Sequence, residues 1–158
     1  GIAANRVLFM PKLDFQLHIN RIPLVDLGLD TFPYNGHTTT SEQLWAGLPV
    51  LTVKGTNFAS RVSESLLGAI DAPELVTPTL DDYVERAVHF FNNREELQDL
   101  RRRIEANRFV SPLFDADRFR QHLETGYRMM VERAKAGLEP DHIDVPALPR
   151  RNEPFMQR

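Results

Sequence analysis

Apolar and polar positions follow two different periods along this 158-residue chain, and each change of period marks a new element. The clearest case lies between Val25 and Val53. Leu24-Val25-Asp26-Leu27-Gly28-Leu29 is a short apolar run ending at Asp30, and Pro33-Tyr34-Asn35-Gly36 is a turn. Ser41 to Ala46 has helical character and stops at Gly47, and Pro49 opens a second β-rich run, Val50-Leu51-Thr52-Val53. Strand, loop, helix, strand is the βαβ unit of a parallel sheet. Upstream, Val7-Leu8-Phe9-Met10 before Pro11 predicts a buried strand. Asp14 to Ile22 predicts a short helix with Phe15, Ile19 and Ile22 on one face.

Downstream the period is helical almost throughout. A helix is expected from about Phe58 to Ile70, capped by Thr56 or Asn57, with Val62, Leu66, Leu67 and Ile70 as its core stripe. Leu75-Val76 reads as a short edge strand. Thr79-Leu80-Asp81-Asp82 starts a helix running to Asn92-Asn93, and its acids suit the positive end of the helix dipole. Arg94 to Asn107 forms the next, with Leu97, Leu100 and Ile104 as its apolar line. The last begins at Asp115 or Asp117 and repeats Phe119, Leu123, Tyr127 and Met130 at helical spacing as far as Ala136. Gly137 stops it. Four prolines from Pro140 to Pro154 then make residues 138–158 an extended tail, mobile toward its end. The whole predicts an α/β fold on a parallel sheet from strands near Val7, Val25 and Val50.

Composition narrows the function classes. The length suits one domain with a real core. A net charge of -3 argues against a nucleic-acid surface, so phosphate contacts must be local. No apolar run approaches the length of a membrane span. Cysteine is absent, which removes disulfides, zinc-thiolate sites and thiol nucleophiles and suits a reducing compartment. The Arg101-Arg102-Arg103 run is interleaved with Glu95, Glu96, Asp99 and Glu105, the pattern of a solvated face.

The chemistry concentrates in one loop. In a parallel sheet, ligands bind where a strand's carboxyl end leads into a helix. A helix amino-terminus presents unpaired N–H groups and partial positive charge, which suits a phosphate. Here that place carries Gly36, His37 and three threonines. Thr39-Thr40-Ser41-Glu42 also fits a capping box, with Thr39 as the cap and Glu42 reaching back to it. On these residues alone, an anion site and a plain capped loop both remain open.

A longer set of motifs decides between them. Asp30-Thr31, Asn35-Gly36-His37-Thr38-Thr39 and Leu44-Trp45-Ala46-Gly47-Leu48-Pro49-Val50 resemble the C-terminal catalytic region of the O-GlcNAc transferase family, its bacterial and plant SPINDLY-type members included. The resemblance continues in order through Ala59-Ser60-Arg61-Val62, Ser111-Pro112-Leu113-Phe114 and Pro140-Asp141-His142. It implies the C-terminal, Rossmann-like lobe of a GT-B type glycosyltransferase. Residues 1–137 would be that UDP-sugar-binding lobe, truncated at its start, and residues 138–158 the tail.

The resemblance also assigns roles. His18 would stack on uracil and Arg21 meet a pyrimidine edge, while Gly36, His37, Thr38 and Thr39 hold the diphosphate. His37 would stabilise the leaving group and not act as a base. Glu42 stands where the family commonly has an aspartate near the ribose. Phe15 and Leu13 replace a lysine and an alanine of the animal members, so those contacts are not carried over.

The implied reaction is transfer of GlcNAc from UDP-GlcNAc to protein Ser or Thr, with no cofactor and no metal. Asp81-Asp82 reads as helix-start acid and not as a metal motif. Expected partners are the UDP-sugar, a protein or peptide acceptor, an N-terminal lobe and helical repeats before it; nucleic acid and membrane are not expected. The implied location is cytoplasmic. The fragment alone is expected to be inactive and to self-associate. A transferase using another UDP-sugar or acceptor, such as asparagine, and a non-catalytic scaffold of the same fold remain as alternatives.

Overall fold

A computed structural model describes residues 1–156 of the chain. Three short parallel strands form the sheet in the order β1-β2-β3: β1 (Gly28–Leu29), β2 (Val50–Val53) and β3 (Val76–Thr77). Gly28 pairs with Val50 and Leu29 with Leu51 on one side of β2, while Thr52 pairs with Val76 and Val53 with Thr77 on the other. The central strand is buried along nearly its whole length, as parallel strands covered on both faces are.

The helices are α1 (Phe15–Arg21), α2 (Thr38–Trp45), α3 (Val62–Ala69), α4 (Leu80–Asn92), α5 (Arg94–Asn107) and α6 (Ala116–Lys135). Their starts follow the sequence chemistry. Asp14 caps α1 through the Leu17 N–H, Thr79 caps α4 through Asp82, and Asp115 caps α6 through Arg118. Gly47 closes α2 with a φ of +83°, a left-handed conformation that favours glycine. Leu44, Val50, Leu51, Leu67, Ile70, Leu75, Phe90, Leu97, Leu100 and Ile104 meet in one core, so β2 is gripped by α2, α3, α4 and α5.

The structure corrects three expectations. Val7 to Met10 is not a strand: these side chains are 52–92% exposed, and among the described residues no strand pairs with them to supply a hydrogen-bond ladder. The strand expected near Val25 sits later, at Gly28–Leu29, because Arg101 draws the preceding segment aside through the carbonyls of Pro23 and Val25. The helix expected from Phe58 breaks into a 3-10 turn (Phe58–Ser60) and α3. Asn57 and Ser60 cap each other in that turn, and the Ser60 carbonyl is taken by the Gly55 N–H. The apolar positions that recur along α6, Phe119, Leu123, Tyr127 and Met130, are all exposed.

The tail instead returns along α6. The Leu148 N–H donates to His122 Nε2 (3.0 Å), Arg118 donates to the carbonyls of Leu148 and Pro149, and the Phe155 N–H donates to the Phe109 carbonyl (2.9 Å). Residues 157 and 158, where mobility was expected, lie outside the described residues.

Candidate functional site

Asp30 directly follows β1, and its carboxylate organises the loop. Oδ1 accepts from the Thr31 N–H (2.9 Å) and the Gly36 N–H (2.7 Å), and Oδ2 accepts from Thr52 Oγ1 (2.7 Å). The Asp30 carbonyl accepts from the Tyr83 hydroxyl, whose pKa is raised by burial and by the nearby Asp30 charge. Asn35 is 2% exposed and ties the other side of the turn. Its Nδ2 reaches the Thr31 carbonyl and Thr52 Oγ1, while its Oδ1 accepts from the Ser63 N–H. Ser63 Oγ in turn donates to the Gly36 carbonyl (3.1 Å) and lies 3.2 Å from Thr40 Oγ1. The loop is therefore set by β1, β2 and α3 together.

This network fixes what the loop offers a ligand. The Gly36 N–H is committed to Asp30, so it is not among the donors, contrary to expectation. Gly36 is required for space instead: a Cβ there would come within 2.5 Å of Thr40 Oγ1 and 2.7 Å of Thr39 Oγ1. Helix α2 begins at Thr38, with His37 at the cap position and no side-chain cap bond. Thr38 and Thr39 stand in its first turn, whose N–H groups precede the first intrahelical partner, Ser41 N–H to the His37 carbonyl. Both threonine side chains are exposed.

The capping box that Thr39-Thr40-Ser41-Glu42 also fits does not form, because the helix starts one residue before Thr39 and Glu42 faces α1. Glu42 Oε2 lies 3.5 Å from His18 Nε2. Arg21 Nη2 lies 3.0 Å from His18 Nδ1, and Arg21 Nη1 donates to the Pro11 carbonyl (2.8 Å). A guanidinium can only donate, so Nδ1 is the acceptor and the neutral His18 ring carries its proton on Nε2, toward Glu42. The ring is thus held at its edge from both sides.

An open groove of about 470 Å³ collects several of these residues. His37, Thr38, Ser41 and Glu42 line its polar side, and Phe15, Ile19, Trp45, Val62, Leu66 and Phe114 its apolar side. That volume suits a small ligand such as a nucleotide. His18, Arg21, Gly36 and Thr39 lie outside its lining; His18 stands next to it through its contact with Glu42, and Arg21 touches His18. Among the described residues, His37 Nε2 is buried without a hydrogen-bond partner.

Several structural roles were invisible beforehand. Asp30 stood in a motif without a role, and Asn35, Thr52 and Ser63 converge only in three dimensions. The one available signal was position, since an acid at a strand's carboxyl end before a tight turn is placed to gather loop N–H groups. Phe15 was set aside, yet it forms part of the groove wall.

Comparison with known proteins follows this geometry. The family model described as glycosyl transferase family 41 matches residues 1–123. The UDP-N-acetylglucosamine–peptide N-acetylglucosaminyltransferase of Caenorhabditis elegans is 35% identical over 143 residues, covering 90% of this chain and 12% of that protein. The SPINDLY protein of Petunia hybrida is 39% identical over 159 residues, covering 100% of this chain and 16% of that protein. Among solved structures, a mutant O-GlcNAc transferase from Thermobaculum terrenum superposes with a TM-score of 0.70 at 32% identity, over 81% of this chain and 24% of that one. The chain therefore spans a small part of the length of its relatives, and within that part it belongs to glycosyl transferase family 41.

Proposed function

We propose that this chain is the donor-binding part of a protein glycosyltransferase whose full-length form moves N-acetylglucosamine from UDP-GlcNAc to serine or threonine hydroxyls. The observation that carries this reading is the groove that joins His37 and Thr38 at the α2 amino-terminus to Glu42, with His18 3.5 Å from the Glu42 carboxylate. Family membership supports it, and so does the donor named for the C. elegans relative.

In this reading the diphosphate lies on the first turn of α2, against the N–H groups and hydroxyls of Thr38 and Thr39. His37 donates to it as charge builds on the leaving group. His18 stacks on the base beside Arg21, and Glu42 accepts from the ribose. These donors carry the leaving-group charge without a metal or other cofactor. The acceptor, and the group that activates its hydroxyl, belong to the rest of the polypeptide. The reducing cytoplasm is the proposed setting, which the lack of cysteine suits. The unpaired edge of β1 and the exposed apolar residues Val84, Val88 and Phe91 on α4 lead the isolated piece to self-associate, a state that light scattering reads directly.

The full-length protein, incubated with UDP-GlcNAc, a protein acceptor and EDTA, tests the reading. Mass spectrometry should find the sugar on serine or threonine. Sugar on asparagine instead would favour a relative with a different acceptor. Absence of any UDP binding would leave only a scaffold.

A further inference from the structure

His37 carries a buried polar atom that the fold leaves unpaired among the described residues. This atom is Nε2, and burying a polar nitrogen unpaired is unfavourable. Two aromatic side chains account for where the ring sits. Tyr34 lies nearly face to face with the imidazole, with centroids 5.0 Å apart and planes 17° apart. Phe58 meets it edge-on, at 6.0 Å and 82°.

Both aromatic rings are themselves mostly in water, Tyr34 63% and Phe58 78% exposed, and neither belongs to a core cluster. Large aromatics normally contribute by burial. Here their close ring contact is with one histidine at the mouth of the groove. They also reach it from independent supports. Tyr34 belongs to the turn after β1, where its carbonyl accepts from Thr31 Oγ1 (2.6 Å). Phe58 opens the 3-10 turn that Asn57 caps. The ring's orientation is thus set from two sides, neither of them α2.

We propose, on the reading that the α2 loop binds the donor's diphosphate, that Tyr34 and Phe58 are positioning residues for His37. They pack against the imidazole from two directions and keep Nε2 out of water, so that the nitrogen stays unpaired until the arriving diphosphate displaces that cover and accepts from it. A donor fixed before the ligand arrives needs no reorganisation when charge develops. A donor shielded from water also interacts more strongly with an anion. A free histidine in an open loop would lack both advantages.

The test uses the full-length protein labelled with 13C-histidine and the variants Tyr34→Ala, Tyr34→Phe, Phe58→Ala and His37→Ala. The first readout is the His37 ring resonance without ligand, which an aromatic ring stacked on the imidazole shifts upfield. The second is affinity for UDP and for uridine. Tyr34→Ala should move the resonance downfield and weaken UDP roughly three- to tenfold, the worth of one aromatic contact, with uridine unchanged. Tyr34→Phe keeps the ring and should restore both readouts. Phe58→Ala should act in the same direction and less strongly; it carries both readouts if Tyr34→Ala does not fold.

The overturning results are separable. UDP affinity lost in His37→Ala but intact in Tyr34→Ala and Phe58→Ala overturns the positioning role and leaves the loop reading standing. UDP affinity intact in His37→Ala overturns the loop reading itself. Equal loss of UDP and uridine in Tyr34→Ala, or a Tyr34→Phe variant as weak as Tyr34→Ala, also contradicts the proposal.

Discussion

Two carboxylates, Asp30 and Asp115, each tie distant segments together, but they hold their segments in different ways. Asp30 sits among neutral donors that come from inside the fold: two loop N–H groups and the hydroxyl of Thr52 on the buried strand β2. Asp115 is buried, caps α6, and receives the guanidinium of Arg151 from the tail. The first network continues through Asn35, Ser63 and Thr40 into the packed core. The second faces outward, and α6 buries no residue of its own. The α2 loop is therefore shaped by the core, whereas α6 and the tail are latched onto it. A ligand site with fixed donors belongs in the first kind of setting.

The largest effect should come from Asn35→Ala. It strands the Ser63 N–H and the Thr31 carbonyl, and a buried group left unpaired costs about 1–3 kcal/mol. Denaturant unfolding should show a loss near the top of that range, together with loss of UDP affinity. A neutral Asn35→Ala would break the contrast, because the loop would then not depend on the interior network.

Asp115→Ala should cost less, about 1–2 kcal/mol, through the lost helix cap and the lost Arg151 contact. Its signature is local. Hydrogen exchange should speed up in the first turn of α6 and in residues 148–155, with the strand β2 amides unchanged. Acid should act through the same group. Burial pushes the Asp115 carboxyl up, but hydrogen bonds from Arg151 and the Arg118 N–H, with the Arg151 charge, outweigh burial and hold it below its ordinary value of 3.8. A lowered folded pKa means that the unfolded chain takes up the proton first. This contribution is therefore fully present above the ordinary value and is lost as pH falls through the folded one. Tail amides should lose protection in that acid window.

The smallest effect should be Arg150→Ala. Its pair with Asp71 is largely exposed, and such pairs are worth roughly 0–1 kcal/mol. A change larger than that of Asp115→Ala would mean that the latch lies at Asp71 and not at the α6 cap.

What the sequence disclosed follows the range of the interactions involved. Val50–Val53 and the starts of α4 and α6 were legible because an apolar run, Thr79 and Asp115 each act over a few residues. The βαβ order was legible for the same reason. Val7 to Met10 misled because apolarity signals burial, while a strand also needs a neighbour to pair with. Glu42 misled because the capping-box spacing is local and His18, on another helix, competes for its carboxylate. The loop itself was recognisable, but its donors were not: only the fold reveals that Asp30 takes the Gly36 N–H and that His37 Nε2 is left unpaired among the described residues.

The central claim is that the α2 amino-terminus holds a diphosphate and the α1 edge holds a base. Isothermal titration of the full-length protein with uridine, UDP and UDP-GlcNAc, beside His37→Ala and His18→Ala, tests it most directly. His37→Ala should weaken UDP and UDP-GlcNAc while leaving uridine unchanged, and transfer should fall by about 3 kcal/mol of transition-state stabilisation, the usual cost of one such donor. His18→Ala should weaken all three ligands, because stacking on the base does not depend on phosphate. Equal loss of all three ligands in His37→Ala, or undiminished uridine binding in His18→Ala, would contradict the account.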